Sequence, residues 1–258
     1  MFTVNNLTLQ FGKRVLFDEV NLKFTQGNCY GVIGANGAGK STFLKILTGD
    51  QDANKGTVSL EQGKRMAVLK QDHFEFDEYT VLDTVIMGYK ELYDVMKEKE
   101  AIYMKPDFSD EDGIKASELE EQYGEMGGWN AESDAAQLLS GLGVPEHYHW
   151  TQMADLDNKY KVRVLLAQAL FGEPDVLVLD EPTRGIDIGV KAEFYDMIGN
   201  LAESGRAILL ISSELPELLA LCDRILVMSE GQLTADIQRK NASQELIMRA
   251  AVPRVAAS

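Results

Sequence analysis

The sequence predicts an α/β fold, a mainly parallel sheet core that carries an antiparallel β subdomain and a helical subdomain. Three features predict it. Short β-branched and apolar runs alternate with longer stretches of helical period, the pattern of a sheet covered by helices. A glycine-rich octapeptide stands between one such run and a helical pattern. The stretch from Val81 to Leu142 shows helical spacing only. With 258 residues, 45% of them hydrophobic and 26% charged, the chain can bury a sizeable core. Its formal charge of −16 disfavours nucleic acid and anionic membrane surfaces, so any such partner has to be gripped locally.

The strands are read from CYGVIG (Cys29 to Gly34), RMAVLK (Arg65 to Lys70), DVLVLD (Asp175 to Asp180), AILLIS (Ala207 to Ser212) and RILVMS (Arg224 to Ser229). TVNNLTLQF and EVNLKF, ahead of the first of these, form a small antiparallel pair. Glu230-Gly231 turns RILVMS back into QLTADI, and a last helix runs from about Ser243 to Ala251. Between them Leu82, Val85, Ile86, Tyr89, Leu92, Tyr93 and Met96 recur at helical spacing, which marks residues 81–142 as a helical insertion in the sheet domain. Lys90 to Glu125 within it holds five lysines against twelve acidic residues, with a helix break at Lys105-Pro106. Composition reads this as a solvated helical hairpin; a projecting arm that touches a partner is the functional alternative.

GANGAGKS, Gly34 to Ser41, follows a strand and opens the helical pattern TFLKIL, which is the P-loop arrangement with its required context on both sides. Gly34, Asn36, Gly37, Ala38, Gly39, Lys40, Ser41 and Thr42 are the candidate nucleotide-binding residues. Glycines let backbone N–H groups turn inward around phosphate oxygens, Lys40 reaches the β- and γ-phosphates, and Ser41 offers a Mg²⁺ ligand. DVLVLDE ends a strand in two acids. Asp180 is placed to hold Mg²⁺ through water, and Glu181 to polarise the water that attacks the γ-phosphate. The expected ligands are therefore a nucleoside triphosphate and Mg²⁺, and the resemblance that follows implies ATP.

With these motifs the chain resembles the ATP-binding-cassette (ABC) ATPases along nearly its whole length, residues 1–258 forming a single nucleotide-binding domain. The resemblance implies a P-loop NTPase fold of ABC type and further roles. Phe11 fits the aromatic that stacks on adenine. Gln71 fits the glutamine that reaches Mg²⁺ and the attacking water, and Asp187 the aspartate that faces a partner subunit across an ATP sandwich. Up to about Thr183 the wording resembles the first ATPase half of the soluble, translation-associated ABC-F branch, in LTLQFGKRVLFDEVNLKF, KQDHFEFDEYTVLDTVIMG and KVRVLLAQALFGEPDVLVLDEPT. From about residue 184 to 258, RGIDIGVKAEFYDMIGNLAESGRAILLISSELPELLALCDRILVMSEGQL resembles the C-terminal ATPase half of monosaccharide importers. The two meet within a shared motif at 179–190, as in a chimera.

Two departures bear on turnover. ATP in this family lies between two subunits, and the place of the LSGGQ-type loop here reads Leu156-Asp157-Asn158-Lys159-Tyr160. A carboxylate stands for a hydroxyl, and a long side chain where close backbone approach is needed. LLSGLG, from Leu138 to Gly143, is read instead as a helix end closed by Gly143. Ser213 occupies the position of the family's switch histidine and cannot carry an imidazolium's charge. The resemblance thus implies an ABC ATPase with weak hydrolysis in isolation, needing a second ABC domain with an intact LSGGQ-type loop. Its partner is the ribosome on an ABC-F-like reading or a membrane permease on a sugar-importer reading; a chimeric nucleotide-binding module without turnover is the third alternative.

Cys29 and Cys222 are the only thiols and stand in apolar surroundings, and the chain opens MFTVNN without a basic-then-apolar leader. Together these lead us to expect a cytoplasmic location. No apolar run approaches the roughly 18 residues that span a bilayer, so no direct membrane insertion is expected. His73 is read as a surface loop residue. His147 and His149 lack a third ligand at metal spacing, and no zinc is assigned.

Overall fold

A computed structural model describes residues 2–11, 14–69, 75–184 and 188–252, and within these the side chains of Phe11, Arg14, Ile188 and Val190 lie outside the description. The chain divides into two compact units, Met1–Gln71 with Pro174–Ser258, and Asp72–Glu173. The first unit opens with β1 (Phe2–Phe11), β2 (Arg14–Phe24), β3 (Cys29–Gly34), α1 (Lys40–Leu47), β4 (Lys55–Leu60) and β5 (Met66–Leu69). The second supplies α2 (Val81–Ile86), α3 (Lys90–Tyr103), α4 (Asp110–Glu125), α5 (Ala131–Gly141) and α6 (Asn158–Leu170). The first then resumes with β6 (Val176–Asp180), α7 (Ile188–Glu203), β7 (Ala207–Ile211), α8 (Leu215–Leu221), β8 (Arg224–Ser229), β9 (Gln232–Gln238) and α9 (Gln244–Ala251).

In the first unit six strands form one sheet in the order β5-β6-β7-β3-β8-β9. Every pair is parallel except β8 with β9. β3 and β7 are buried at every position, as unbroken apolar runs in a parallel sheet should be. β6 and β7, which flank the stretch 179–190, pair without interruption from Val176 with Ala207 to Asp180 with Ile211. A second sheet, β2-β1-β4, is antiparallel. Its inner face (Phe2, Leu7, Leu9, Phe17, Phe24) joins Val32, Phe43, Val178, Leu209 and Leu226 in one core. The sequence reading had this sheet as a pair of strands. The third, β4, is mostly solvent-exposed and carries only Val58 and Leu60 as apolar residues, so it gives little alternation to read.

Among its described residues the second unit holds helices joined by turns and no named strand, and the insertion expected over 81–142 lies within it. α3 and α4 form a hairpin whose turn is fixed at Ser109, where its hydroxyl accepts from Asp112 N and the Asp112 carboxylate accepts from Ser109 N, a reciprocal cap. α5 ends in a Schellman closure. Gly143 has φ +72°, Val144 N donates to Leu139 O at 2.9 Å and Gly143 N to Ser140 O at 3.0 Å. LLSGLG is therefore a helix terminus here. α2 meets α6 at Gly88, where a Cβ would stand 1.8 Å from the Gln168 carbonyl oxygen. No helix among the described residues is long and apolar enough to cross a membrane.

Candidate functional site

The site lies in the first unit, beyond the C-terminal ends of β3 and β6. β3 stops at Gly34, where a Cβ would sit 2.4 Å from Met228 O and 2.9 Å from the Ala38 Cβ. The chain then turns on itself, Ala38 N donating to Ala35 O at 3.0 Å. Gly37 at φ +81° and Gly39 at φ +102° occupy the left-handed region that side chains disfavour, and Gly39 starts α1 without any side-chain cap. The first N–H groups of α1 have no intrahelical partner and carry the positive end of its dipole.

That first turn, Lys40, Ser41 and Thr42, lines a cavity of about 440 Å³ together with Asn36, Gly37 and Gly39. Asp180 and Glu181 line it too, so one wall is cationic and the other acidic. Lys40 Nζ donates to Gly34 O at 2.6 Å, which folds the ammonium back over its own loop. Burial, and then the Glu181 carboxylate beside it, push the Asp180 carboxyl above its ordinary value, while Lys40 pulls it down.

Glu181 is held in an unusual way. Its backbone has φ +48°, and its N–H donates to Ile211 O at 2.8 Å. Its Oε2 accepts two hydrogen bonds from Ser213, 3.1 Å from the amide and 3.0 Å from the hydroxyl. Two residues on, Thr183 Oγ1 donates to the buried carboxylate of Glu217 at 2.9 Å, and burial pushes that carboxyl upward in pKa. Lys191 reaches Glu214 with both bonds near 2.5 Å, which ties α7 to the segment that carries Ser213.

Asn36, Gly37, Gly39, Lys40, Ser41, Thr42, Asp180 and Glu181, all expected from sequence, thus share one cavity. Gly34 and Ala38 stand behind it; Ala38 is buried and its carbonyl accepts from Gly231 N at 2.9 Å. Gln71, Asp187 and His73 lie outside the described residues, as does the Phe11 side chain. Leu16 and Arg184 also line the cavity and were not anticipated. Arg184 stands three positions after Glu181, and that spacing is the signal by which it could be found as a cation beside the acid pair; Leu16 gave no signal. The hold of Ser213 on Glu181, 32 positions away, gave none either.

In the second unit Asp157, Asn158 and Lys159 are exposed at the start of α6, and the Asp157 carboxylate does not cap the helix. His149 is buried with Nε2 3.1 Å from Val144 O, and His147 packs on Tyr148. Among the described residues no cluster of three or more His, Cys, Asp or Glu side chains suits a metal ion.

Fold and site define a P-loop nucleotide-binding domain of the ATP-binding-cassette type. The profile of the ABC transporter family matches residues 17–184, and the chain belongs to that family. It is 63% identical over 188 residues to YkpA of Bacillus subtilis (strain 168), named as an uncharacterized ABC transporter ATP-binding protein, covering 73% of this chain and 35% of that one. It is 30% identical to the L-arabinose transport ATP-binding protein AraG of Geobacillus stearothermophilus, over 96% of this chain and 47% of that one. The chain thus spans about a third to a half of the length of these relatives. A nucleotide-free ATP-binding cassette from an ABC transporter superposes with a TM-score of 0.74 over 98% of this chain and 99% of that one, at 21% identity, a likeness of fold.

The Asp180 shift fixes the sign of a pH effect. A carboxyl whose folded pKa is raised binds protons more tightly in the folded state, so stability falls as pH rises from the unfolded to the folded value. Asp180→Asn should therefore make the ligand-free chain more stable than the parent near about pH 7, with the difference closing below about pH 4. Urea midpoints at the two pH values check this; a less stable variant at neutral pH would show that Asp180 is not the strained group.

Proposed function

We propose that the chain is the ATP-binding domain of a Mg²⁺-dependent ABC ATPase, one that alone binds ATP far better than it hydrolyses it. The observation that carries this is the single cavity in which Lys40 and the first turn of α1 face Asp180 and Glu181. The donor set fits the ligand. Backbone N–H groups and an ammonium suit phosphate oxygens, while two adjacent acids, Asp180 raised by burial and then by its neighbour Glu181, suit a divalent cation. When bound, Mg²⁺ neutralises charge on the phosphates and orients them for attack by water.

Each side chain then has a task. Lys40 exchanges the Gly34 carbonyl for a phosphate oxygen, and the Ser41 hydroxyl, Asp180 and Gln71 serve the cation. Glu181 orients and polarises water, and Phe11 stacks on adenine. Ser213 fixes the Glu181 carboxylate through two donated bonds but brings no imidazole to the transferring phosphoryl group. Asp157, Asn158 and Lys159 replace the loop that grips γ-phosphate across a dimer, so turnover calls for a second ABC domain with an intact LSGGQ-type loop.

The finer reading is an ABC-F-like soluble, cytoplasmic protein for residues 1 to about 183, joined within 179–190 to a sugar-importer-like end. The join rests on the wording of the two segments, and 63% identity over 188 residues with YkpA beside 30% over nearly the whole chain with AraG is in keeping with it. The same near-complete alignment with a relative named for L-arabinose transport favours a second reading, the ATP-binding subunit of a sugar importer. The first reading gives the ribosome as partner, the second a membrane permease. Sedimentation of the tagged chain from its own cells separates them, since recovery only with membranes excludes the first.

Calorimetric titration with Mg-ATP tests the site itself. Lys40→Ala should lose affinity by about 10- to 100-fold, the worth of a charge-assisted bond to phosphate, and unchanged affinity would remove the phosphates from this loop. Steady-state phosphate release tests the rest. Joint restoration by Ser213→His, Asp157→Ser, Asn158→Gly and Lys159→Gly should raise the rate by about 10²-fold or more, since each preorganised donor is worth roughly that much. A parent already as fast as the restored variant, and far above Glu181→Gln, would refute impaired turnover.

A further inference from the structure

We propose that Cys29 and Cys222 are a latent disulfide, a modification site that a small hydroperoxide closes to staple β3 to the end of α8. The two are the only cysteines in the sequence and stand 193 positions apart, yet their sulfurs lie 3.7 Å from each other. Both are buried free thiols. Their backbones are already clamped together, because Asp223 N donates to Cys29 O at 2.7 Å and the Asp223 carboxylate accepts from Cys29 N at 2.9 Å.

The space between them is built for contact. Gly31 lies two residues along β3 from Cys29, hence on the same face of the strand. A Cβ there would come within 2.8 Å of Cys222 Sγ and of Leu218 Cδ2. A bare glycine is what lets the thiol of Cys222 settle against β3. A disulfide needs the sulfurs at about 2.05 Å, so closure asks for a further approach of less than about 2 Å between groups already in van der Waals contact.

The pair rests reduced. The hydrogen bond with Cys29, and then burial, hold the Cys222 thiol well above its usual range, so it stays protonated and slow to react. Burial also excludes bulky oxidants and leaves a hydroperoxide of near-water size as the reagent. One thiol, losing its proton, attacks the peroxide and takes an oxygen as a sulfenic acid, releasing water. The second thiol attacks that sulfur, forms the S–S bond and expels hydroxide, which leaves as water with the thiol's proton. Two thiols and one hydrogen peroxide thus give one disulfide and two waters.

The bond would join β3, which runs into the P-loop at Gly34, to the end of the helix that follows Ser213 and Glu214. It would also close a loop of most of the chain, which restricts the unfolded state strongly.

The test uses the whole native chain, reduced, desalted, exposed to hydrogen peroxide, then alkylated in denaturant. The expected product is a monomer lighter by about 2 Da with neither cysteine alkylated. A peptide map should link the Cys29 and Cys222 peptides, reversal should follow dithiothreitol, and the thermal midpoint should rise by roughly 5 °C. Cys29→Ser and Cys222→Ser should show neither the loss of mass nor the rise. Alkylation of both thiols after an exposure that oxidises the denatured chain would overturn the proposal. So would a bond between two chains, accumulation of sulfinic acid, or a bond that leaves the midpoint unmoved. Should the serine variants fail to fold, the peptide map of the parent decides alone.

Discussion

The close approach of backbone to backbone at the β8–β9 turn is the constraint on which the cavity depends. Glu230 at φ +50° and Gly231 at φ +82° make a tight hairpin turn with two left-handed residues, the form that suits the twist of paired strands. Gly231 N holds the Ala38 carbonyl of the P-loop at 2.9 Å, and a Cβ on Gly231 would strike Leu16 O at 2.2 Å. One turn therefore braces the phosphate loop and the part of β2 that lines the cavity. One layer inward, Gly34 against Met228 repeats the arrangement. The loop cannot slide along the sheet, so its N–H groups are aimed before any ligand arrives. That is the condition under which fixed dipoles bind an anion without reorganisation.

One strained residue stands opposite that loop. A non-glycine residue at φ +48° costs about 1 to 3 kcal/mol and persists only where its surroundings over-determine it. Glu181 has such surroundings, its N–H fixed on Ile211 and its carboxylate on Ser213. The neighbouring segment is fixed in turn by Thr183 on Glu217 and by Lys191 on Glu214. Serine at position 213 thus holds the Glu181 carboxylate twice, through its amide and through its hydroxyl.

Much of this was legible in the sequence. CYGVIG and RILVMS are strands at the expected bounds because parallel strands buried on both faces leave unbroken apolar runs. The cavity residues Asn36, Gly37, Gly39, Lys40, Ser41 and Thr42, with Asp180 and Glu181, were legible because the P-loop pattern and the acid pair at a strand end fix those types at those positions. β4 was not, since an exposed edge strand carries no core pattern. The contacts of Ser213 with Glu181 and of Cys29 with Cys222 were not, because they arise from which strands become neighbours, and strand order is not written in local periodicity.

The acidic hairpin shows how charge is handled away from the site. Each of its five lysines is paired: Lys90 with Asp94, Lys97 with Asp83 and Glu100, Lys99 with Glu120, Lys105 with Asp112, and Lys115 with Glu98. Lys99 also lies over the rings of Tyr123 and Trp129, at 4.0 and 4.5 Å from their centroids. Lys105, with the Ser109 cap, holds the Asp112 carboxyl down to about 2. Surface ion pairs are individually weak, so pairing alone would not keep the lysines from a phosphate. The surplus of carboxylates would. Twelve acids against five lysines leave the hairpin negative after every lysine is matched, and nucleic-acid backbones are gripped by free cations. The hairpin thus presents a net negative surface, which repels the phosphates of a nucleic acid.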